Sequence, residues 1–199
     1  ILSPTSGDVV LAAKAAEMPL IDFAFKTTLP ISIAAIICMA IAHFFWQRYL
    51  DKKEHISHEM LDVNDITTTA PALYAILPFT PIIGVLIFDG KWGPELHIIT
   101  ILVGCMLLAA MTTGSGNAPF YAFVEMIPKL AHSSGINPAY LSIPMLQASN
   151  LGRTISPVSG VVVAVAGMAK ISPFEVVKRT SVPVLVGLLV VIVATEILV

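Results

Sequence analysis

The sequence predicts an all-α, polytopic membrane protein with inverted repeats, broken helices and a re-entrant hairpin. Three observations predict this. The 199 residues are 56% hydrophobic and only 12% charged, with a mean hydropathy of +0.87, whereas soluble domains carry roughly 25% charged residues. Apolar runs such as Leu29–Phe45 and Val182–Ile197 are too long and too free of charge for a soluble helical core, since about 20 apolar residues cross a bilayer. Finally, one long segment occurs twice, and each copy opens on a polar break.

Taken in order, ILSPTSG at residues 1–7 is a polar break and residues 8–17 a half-length helix. Residues 19–27 mix apolar and charged side chains, as a short interfacial helix would. A clear span covers 28–48 and ends in His43, Trp46, Arg48 and Tyr49, an aromatic and basic interface anchor. Together 1–50 form the end of a first repeat, and 51–69 is a polar linker. The second repeat fills 70–199. It comprises a span at 70–88 bent by Pro71, Pro78 and Pro81, a re-entrant hairpin at about 97–131 and a broken helix at about 138–169. An amphipathic piece at 172–180 and a final span at about 182–198 complete it.

The repeat appears when Ser3 is set against Ser156, an offset of 153. SPTSGDVVLAAKAAEMPLIDFAFKTTLP then lies over SPVSGVVVAVAGMAKISPFEVVKRTSVP without a gap. The SPxSG openings coincide, and so do Thr27 with Thr180 and Pro30 with Pro183. Asp22 meets Glu175 and Lys26 meets Arg179. Apolar composition alone gives scattered Val and Ala matches but not these. A single pair of copies means two halves of a duplicated membrane fold, as in many secondary transporters, where corresponding interruptions mark the binding site. With 97–131 as a re-entrant hairpin tipped by TTGSGN, the two copies run in opposite directions; with 97–113 as a full span they would run parallel.

The breaks carry the chemistry. QASNLGRTISPVSG sets Ser149, Asn150, Arg153 and Thr154 around Gly152, Pro157 and Gly160, next to a run of Val and Ala. Irregular backbone at membrane depth is tolerated only where protein or a water-filled cavity satisfies it, and polar residues there are functional by default. Freed N–H groups and helix N-termini favour a bound anion, the hydroxyls and amide donate to carboxylate oxygens, and Arg153 can pair bidentately with one. The alternative is that Arg153 pairs with Glu125 or snorkels outward while the Ser and Thr residues only cap broken helices. At the hairpin, Gly114 and Gly116 allow a positive φ and Ser115 and Asn117 supply donors; a plain glycine turn is the alternative. An intramembrane serine protease would need a basic partner deep in a neighbouring span. His43, His97 and His132 lie at span ends or in loops, so no enzyme is expected. Cys38 and Cys105 read as small buried hydrophobes, no metal-ligand spacing occurs, and the net charge of −2 leaves no footprint for nucleic acid.

The strings TTGSGNAPFYAFVEMIPKLAHSSGINPAYLSIPMLQASNLGRTISPVSG and SPTSGDVVLAAKAAEMPLIDFAFKTTLPI resemble the anaerobic C4-dicarboxylate carriers, subfamily C, of the ion-transporter superfamily. The resemblance implies a multi-pass protein of the bacterial inner membrane that exchanges, exports or takes up succinate, fumarate, malate and aspartate. It implies Ser115 and Asn117 at the hairpin tip, Ser149, Asn150 and Thr154 in the second break, and Ser3, Thr5 and Ser6 in the first as binding elements. It favours protons or exchange over a dedicated metal, with sodium as the other option and Glu125 as the carboxylate of the hairpin. Expected partners are the dicarboxylate and the lipid bilayer, with a homodimer as an option. The carriers of this family are roughly twice as long, so most of a first repeat is expected to be missing here. The stretch between Gly104 and Met111 is short for the family, which suggests an internal deletion joining one apolar run to another.

The positive charges, Arg48, Lys52, Lys53, Lys170, Lys178 and Arg179 on one side against Lys14, Lys26, Lys91 and Lys129 on the other, favour the first side as cytoplasmic and the C-terminus outside. A carrier of another organic anion or amino acid, or a non-transporting fragment of a carrier, is the alternative reading.

Overall fold

The computed structural model describes residues 6–53 and 94–198. The expected span at 70–88, the linker beyond residue 53, and Ser3 and Thr5 lie outside the described residues. Every described element is helical: α1 (Gly7–Ala15), a π-helical turn (Asp22–Thr28), α2 (Leu29–Lys53), α3 (Pro94–Thr113), α4 (Asn117–Phe123), α5 (Met126–Ser134), α6 (Pro138–Gly152), a 3-10 turn (Arg153–Ile155), α7 (Gly160–Ala169) and α8 (Pro173–Leu198). Three stretches are long and apolar enough to cross a bilayer: Asp22–Lys52, Pro138–Ala169 and Pro173–Leu198.

Local chemistry explains the boundaries. Gly135 closes α5 in the left-handed region at φ 69°, and Ile136 N–H donates to the Ala131 carbonyl at 3.0 Å, a glycine-based C-terminal closure. The next helix starts two residues on, where the Asn137 side chain accepts from Ala139 N–H at 3.0 Å and Pro138 takes the first helical position.

Three elements differ from the sequence-based expectation. Residues 22–28 are no separate interfacial helix but a π-helical turn running directly into α2. Pro30 cannot donate to a carbonyl one turn back, and a locally rewound helix accommodates that loss. Likewise 172–180 and 182–198 are one helix with Pro183 inside it. In the same way α2 extends to Lys53, so the first linker residues, Asp51, Lys52 and Lys53, are helical. Cys38 is half-buried, and Cys105 is exposed rather than buried.

The repeat-equivalent helices α2 and α8 pack antiparallel. Met39 faces Gly187, Trp46 Nε1 donates to the Lys178 carbonyl at 3.1 Å, and Arg179 donates to Gln47 at 2.6 Å and Asp51 at 3.2 Å. As numbers rise along one helix they fall along the other, so the matched segments run in opposite directions, as an inverted repeat requires. By contrast α3 and α6 run parallel, with Leu107 beside Gly152 and Met111 beside Ser156. The short helices α4 and α5 form the return limb between them. The core gathers around α6, which α1, α3, α4 and α8 pack against, and its buried side chains include Phe23, Ile31, Leu107, Phe120 and Leu146.

The two copies also agree in backbone detail. Ser6 and Ser159 precede their helices in the same extended conformation, ψ 138° and 131°. Val10 N–H donates to the Ser6 carbonyl at 3.1 Å, and Val163 N–H to that of Ser159 at 2.9 Å. At the far ends, Glu17 and Lys170 occupy the left-handed region at φ 56° and 54°. Met18 N–H closes on the Ala13 carbonyl and Ile171 N–H on that of Ala166. Each pair is separated by the repeat offset.

Candidate functional site

The second break begins inside α6. Three hydrogen-bonding side chains there serve their own backbone: Ser149 Oγ donates to the Leu146 carbonyl at 2.8 Å, Asn150 Nδ2 to the same carbonyl at 3.0 Å, and Thr154 Oγ1 to the Leu151 carbonyl at 2.6 Å. Ser149 and Asn150 bond back to a carbonyl inside the helix, and Thr154 to one in its last turn. Ser149 is fully buried. Past the 3-10 turn the chain is extended at Ser156, whose hydroxyl donates across to the Met111 carbonyl at 2.6 Å. Pro157 is half-buried, and α7 restarts at Gly160, which faces open space.

The hairpin tip sits directly on this break. Gly114 holds φ 67°, and a Cβ there would lie 3.0 Å from the Val158 carbonyl and 3.1 Å from the Ser159 backbone. A Cβ on Gly116 would meet the Ser149 carbonyl at 2.9 Å and the Arg153 Cδ at 3.4 Å. Gly152 permits the approach of α3, with Ala110 Cβ at 2.8 Å from the position its Cβ would take. These glycines let backbones meet at a depth where larger residues would hold them apart. Ser115 Oγ accepts from Ala118 N–H at 3.3 Å and so caps α4, while Thr113 Oγ1 accepts from Ser115 N–H at 3.3 Å.

The first break reaches the same place. A Cβ on Gly7 would stand 3.1 Å from the Tyr121 hydroxyl of α4. Asp8, in the first turn of α1, is buried beside the side chains of Ser6 and Asn150. Hence Ser6, Ser115, Asn117, Ser149, Asn150, Arg153 and Thr154 gather at one junction of hairpin tip and two breaks. Within it, Arg153 and Asn117 are exposed, and Arg153 makes no ion pair among the described residues, Glu125 included. An unpaired guanidinium beside an amide and two helix starts is suited to a carboxylate-bearing ligand.

Asp8 and Tyr121 escaped sequence reasoning. A signal existed for Asp8: at offset 153 it stands opposite Val161, a charge in one copy where the other holds an aliphatic residue. Tyr121 had none, because its approach to Gly7 is made by tertiary packing alone.

The ends of the elements pair in a way that fits two membrane sides. Glu17 at the end of α1 meets His132 of α5 at 2.9 Å. On the other side Arg179 meets Asp51, beside the stacked Trp46 and Tyr49.

Comparison with known proteins agrees with this architecture. The profile of the family described as "DcuC: C4-dicarboxylate anaerobic carrier" matches residues 1–112 and 102–199. The chain belongs to this family. It is 65% identical to an anaerobic C4-dicarboxylate transporter, DcuC, of Escherichia coli K12, over all of this chain and 60% of that protein. It is 45% identical to a probable anaerobic C4-dicarboxylate transporter of Vibrio cholerae, over all of this chain and 61% of that one. A putative uncharacterized transporter of Haemophilus influenzae is 39% identical over 37% of this chain. No solved structure matches. The chain therefore spans about 60% of the length of the carriers it matches. The Escherichia coli match extends over 279 residues, about 80 more than the 199 present here. The two profile matches overlap at 102–112, inside α3 and around the stretch Gly104–Met111. A segment of the relatives is thus absent at that join. Family membership and three membrane-length helices make this a membrane protein of a transporter family.

Proposed function

We propose that the chain carries dicarboxylate-handling machinery of a bacterial inner-membrane carrier for C4-dicarboxylates such as succinate, fumarate, malate and aspartate. Transport is by exchange or with proton coupling, and the substrate leaves chemically unchanged, so the protein is not an enzyme. The observation that carries this reading is the junction itself: the hairpin tip and both breaks converge on Asn117, Asn150 and the exposed Arg153, which makes no ion pair among the described residues. Arg153 takes one carboxylate, and Asn117 and Asn150 orient the molecule. Movement of the hairpin and broken helix against the α2–α8 pair exposes the junction to each side in turn.

The test is counterflow. The protein is reconstituted in proteoliposomes loaded with succinate, and entry of labelled fumarate is followed with Arg153→Ala alongside. Exchange by the wild type and at least about a tenfold loss in the variant, as removal of a charge-assisted pair implies, supports the reading. Wild-type vesicles that exchange another anion but no C4-dicarboxylate would redirect it to that anion.

A further inference from the structure

Gln147 is a polar side chain on α6 between the buried Leu146 and Ala148. It is buried itself, and its Nε2 donates to the Ser32 hydroxyl of α2 at 2.8 Å. The bond crosses from the broken helix to the α2–α8 pair. One turn before Ser32, at the end of the π-helical turn, stands Thr28. Residues four apart share a helix face, so the two hydroxyls lie in one row about 6 Å apart along α2. Thr28 is buried at 2% exposure, and its Oγ1 has no hydrogen-bond partner among the described residues. A buried helical threonine can donate to a carbonyl of the preceding turn, as Thr195 does to Val191 at 2.7 Å. The repeat-equivalent of Thr28 is Ser181, and its hydroxyl donates to the Lys178 carbonyl at 3.3 Å. A buried hydroxyl left without a partner costs more than a made bond gains, so Thr28 raises the energy of this arrangement.

We propose that Thr28 is a second seat for Gln147. This inference rests on the transport reading, in which the hairpin and broken helix move against the α2–α8 pair. As α6 slides by one turn toward the start of α2, the Gln147 amide leaves Ser32 and donates to Thr28. Before the step Thr28 is the unpartnered hydroxyl; after it, Ser32 is. Each end state bears one such hydroxyl, so the two are close in energy, whereas between them the amide and both hydroxyls are unmatched. A row of this kind gives discrete stops one turn apart, as in ratchets of packed helices. The contact on the other side of the broken helix can be given up as well. Thr180 Oγ1 donates to the Thr154 carbonyl at 3.3 Å and to the Val176 carbonyl of its own helix at 3.0 Å, so it keeps a partner when Thr154 moves away. Gln147, Ser32 and Thr28 are thus positioning residues, acting on where the broken helix stops and not on the substrate.

The test compares Thr28→Val and Thr28→Ser with the wild type, by thermal unfolding in detergent and by entry of labelled fumarate into succinate-loaded proteoliposomes. Thr28→Val keeps the shape and removes the hydroxyl, so it should unfold at a higher temperature than the wild type. Its exchange at saturating fumarate should nevertheless fall about tenfold, because the Gln147 amide finds no acceptor at the second stop. The fumarate concentration for half-maximal entry should stay within about twofold. Thr28→Ser, which keeps the hydroxyl, should restore the exchange rate. A Thr28→Val protein that exchanges like the wild type, or a Thr28→Ser protein as slow as Thr28→Val, overturns the second seat and leaves the dicarboxylate reading standing. Loss of stability in Thr28→Val overturns it too, since the hydroxyl would then have a partner. If wild-type vesicles exchange another anion instead, the same comparison is decided with that anion and only the substrate assignment falls. Absence of exchange of any anion by the wild type overturns both.

Discussion

The segments Ser6–Met18 and Ser159–Ile171 share a backbone and differ in chemistry. Both enter their helix through an extended serine, make the same first-turn hydrogen bond and close on a left-handed residue. Yet Asp8 is 8% exposed and lies beside Asn150, whereas its counterpart Val161 is 64% exposed. Around it Val163, Val165 and Met168 are exposed as well, whereas Val9, Ala12 and Ala13 of the first copy are buried. A duplicated backbone therefore carries a buried carboxylate in one copy and an apolar, outward face in the other. In a membrane protein such a row of Val and Met is what lipid or a neighbouring helix accepts.

The comparison can be broken first at the hairpin tip. Gly114→Ala puts a methyl group about 3 Å from the Val158 carbonyl and Ser159 at a positive φ. It should cost roughly 2–4 kcal/mol and abolish counterflow, because the tip can no longer rest on the second break. Thermal unfolding in detergent reads the first effect and proteoliposome exchange the second. An exchange rate like that of the wild type would mean the tip is not seated on the break during transport.

Exchanging the chemistry of the copies comes next. Val161→Asp should destabilise by about 2–3 kcal/mol if α7 presents this face to lipid, and by almost nothing if water reaches it. Thermal unfolding in lipid nanodiscs separates the two. Asp8→Val removes a buried carboxylate and its polar contacts with Ser6 and Asn150 and should cost about 1–3 kcal/mol. No loss of stability there would show that the polar contacts of Asp8 contribute nothing to holding the breaks together.

The smallest effects lie at the helix ends. Lys170→Gly removes a left-handed penalty and should stabilise by about 1 kcal/mol. Glu17→Gly removes the same penalty but also the exposed pair with His132, so its gain should be smaller by up to about 1 kcal/mol. Equal gains at the two positions would assign that ion pair no energetic role.

Much of this was legible from the residues. The break at Gly152–Gly160 and the tip at Gly114–Gly116 are local events, dictated by Gly, Pro and Ser wherever they stand. The family assignment followed from long matching strings. Less legible were the continuity of α8 through Pro183 and the rewinding of 22–28 into α2. A proline marks a disturbance, but only the packing around it decides whether the helix stops, bends or rewinds. Ser149 and Thr154 were identified by residue type as donors for a ligand, whereas their hydroxyls serve carbonyls one turn back. Side-chain direction is set by rotamer and neighbours, which composition does not record.

By itself, the sequence determined that this is a helical membrane chain, that it contains two related segments, and where the second break and the hairpin tip lie. Hydrophobicity and backbone preference are properties of residues and short strings, so they survive without a fold. Tertiary structure decided the antiparallel pairing of α2 with α8, the seating of the hairpin tip on the second break and the meeting of Asp8 with Asn150. Those depend on contacts between residues that lie tens of positions apart or more along the chain, and such a contact exists only once the helices have packed.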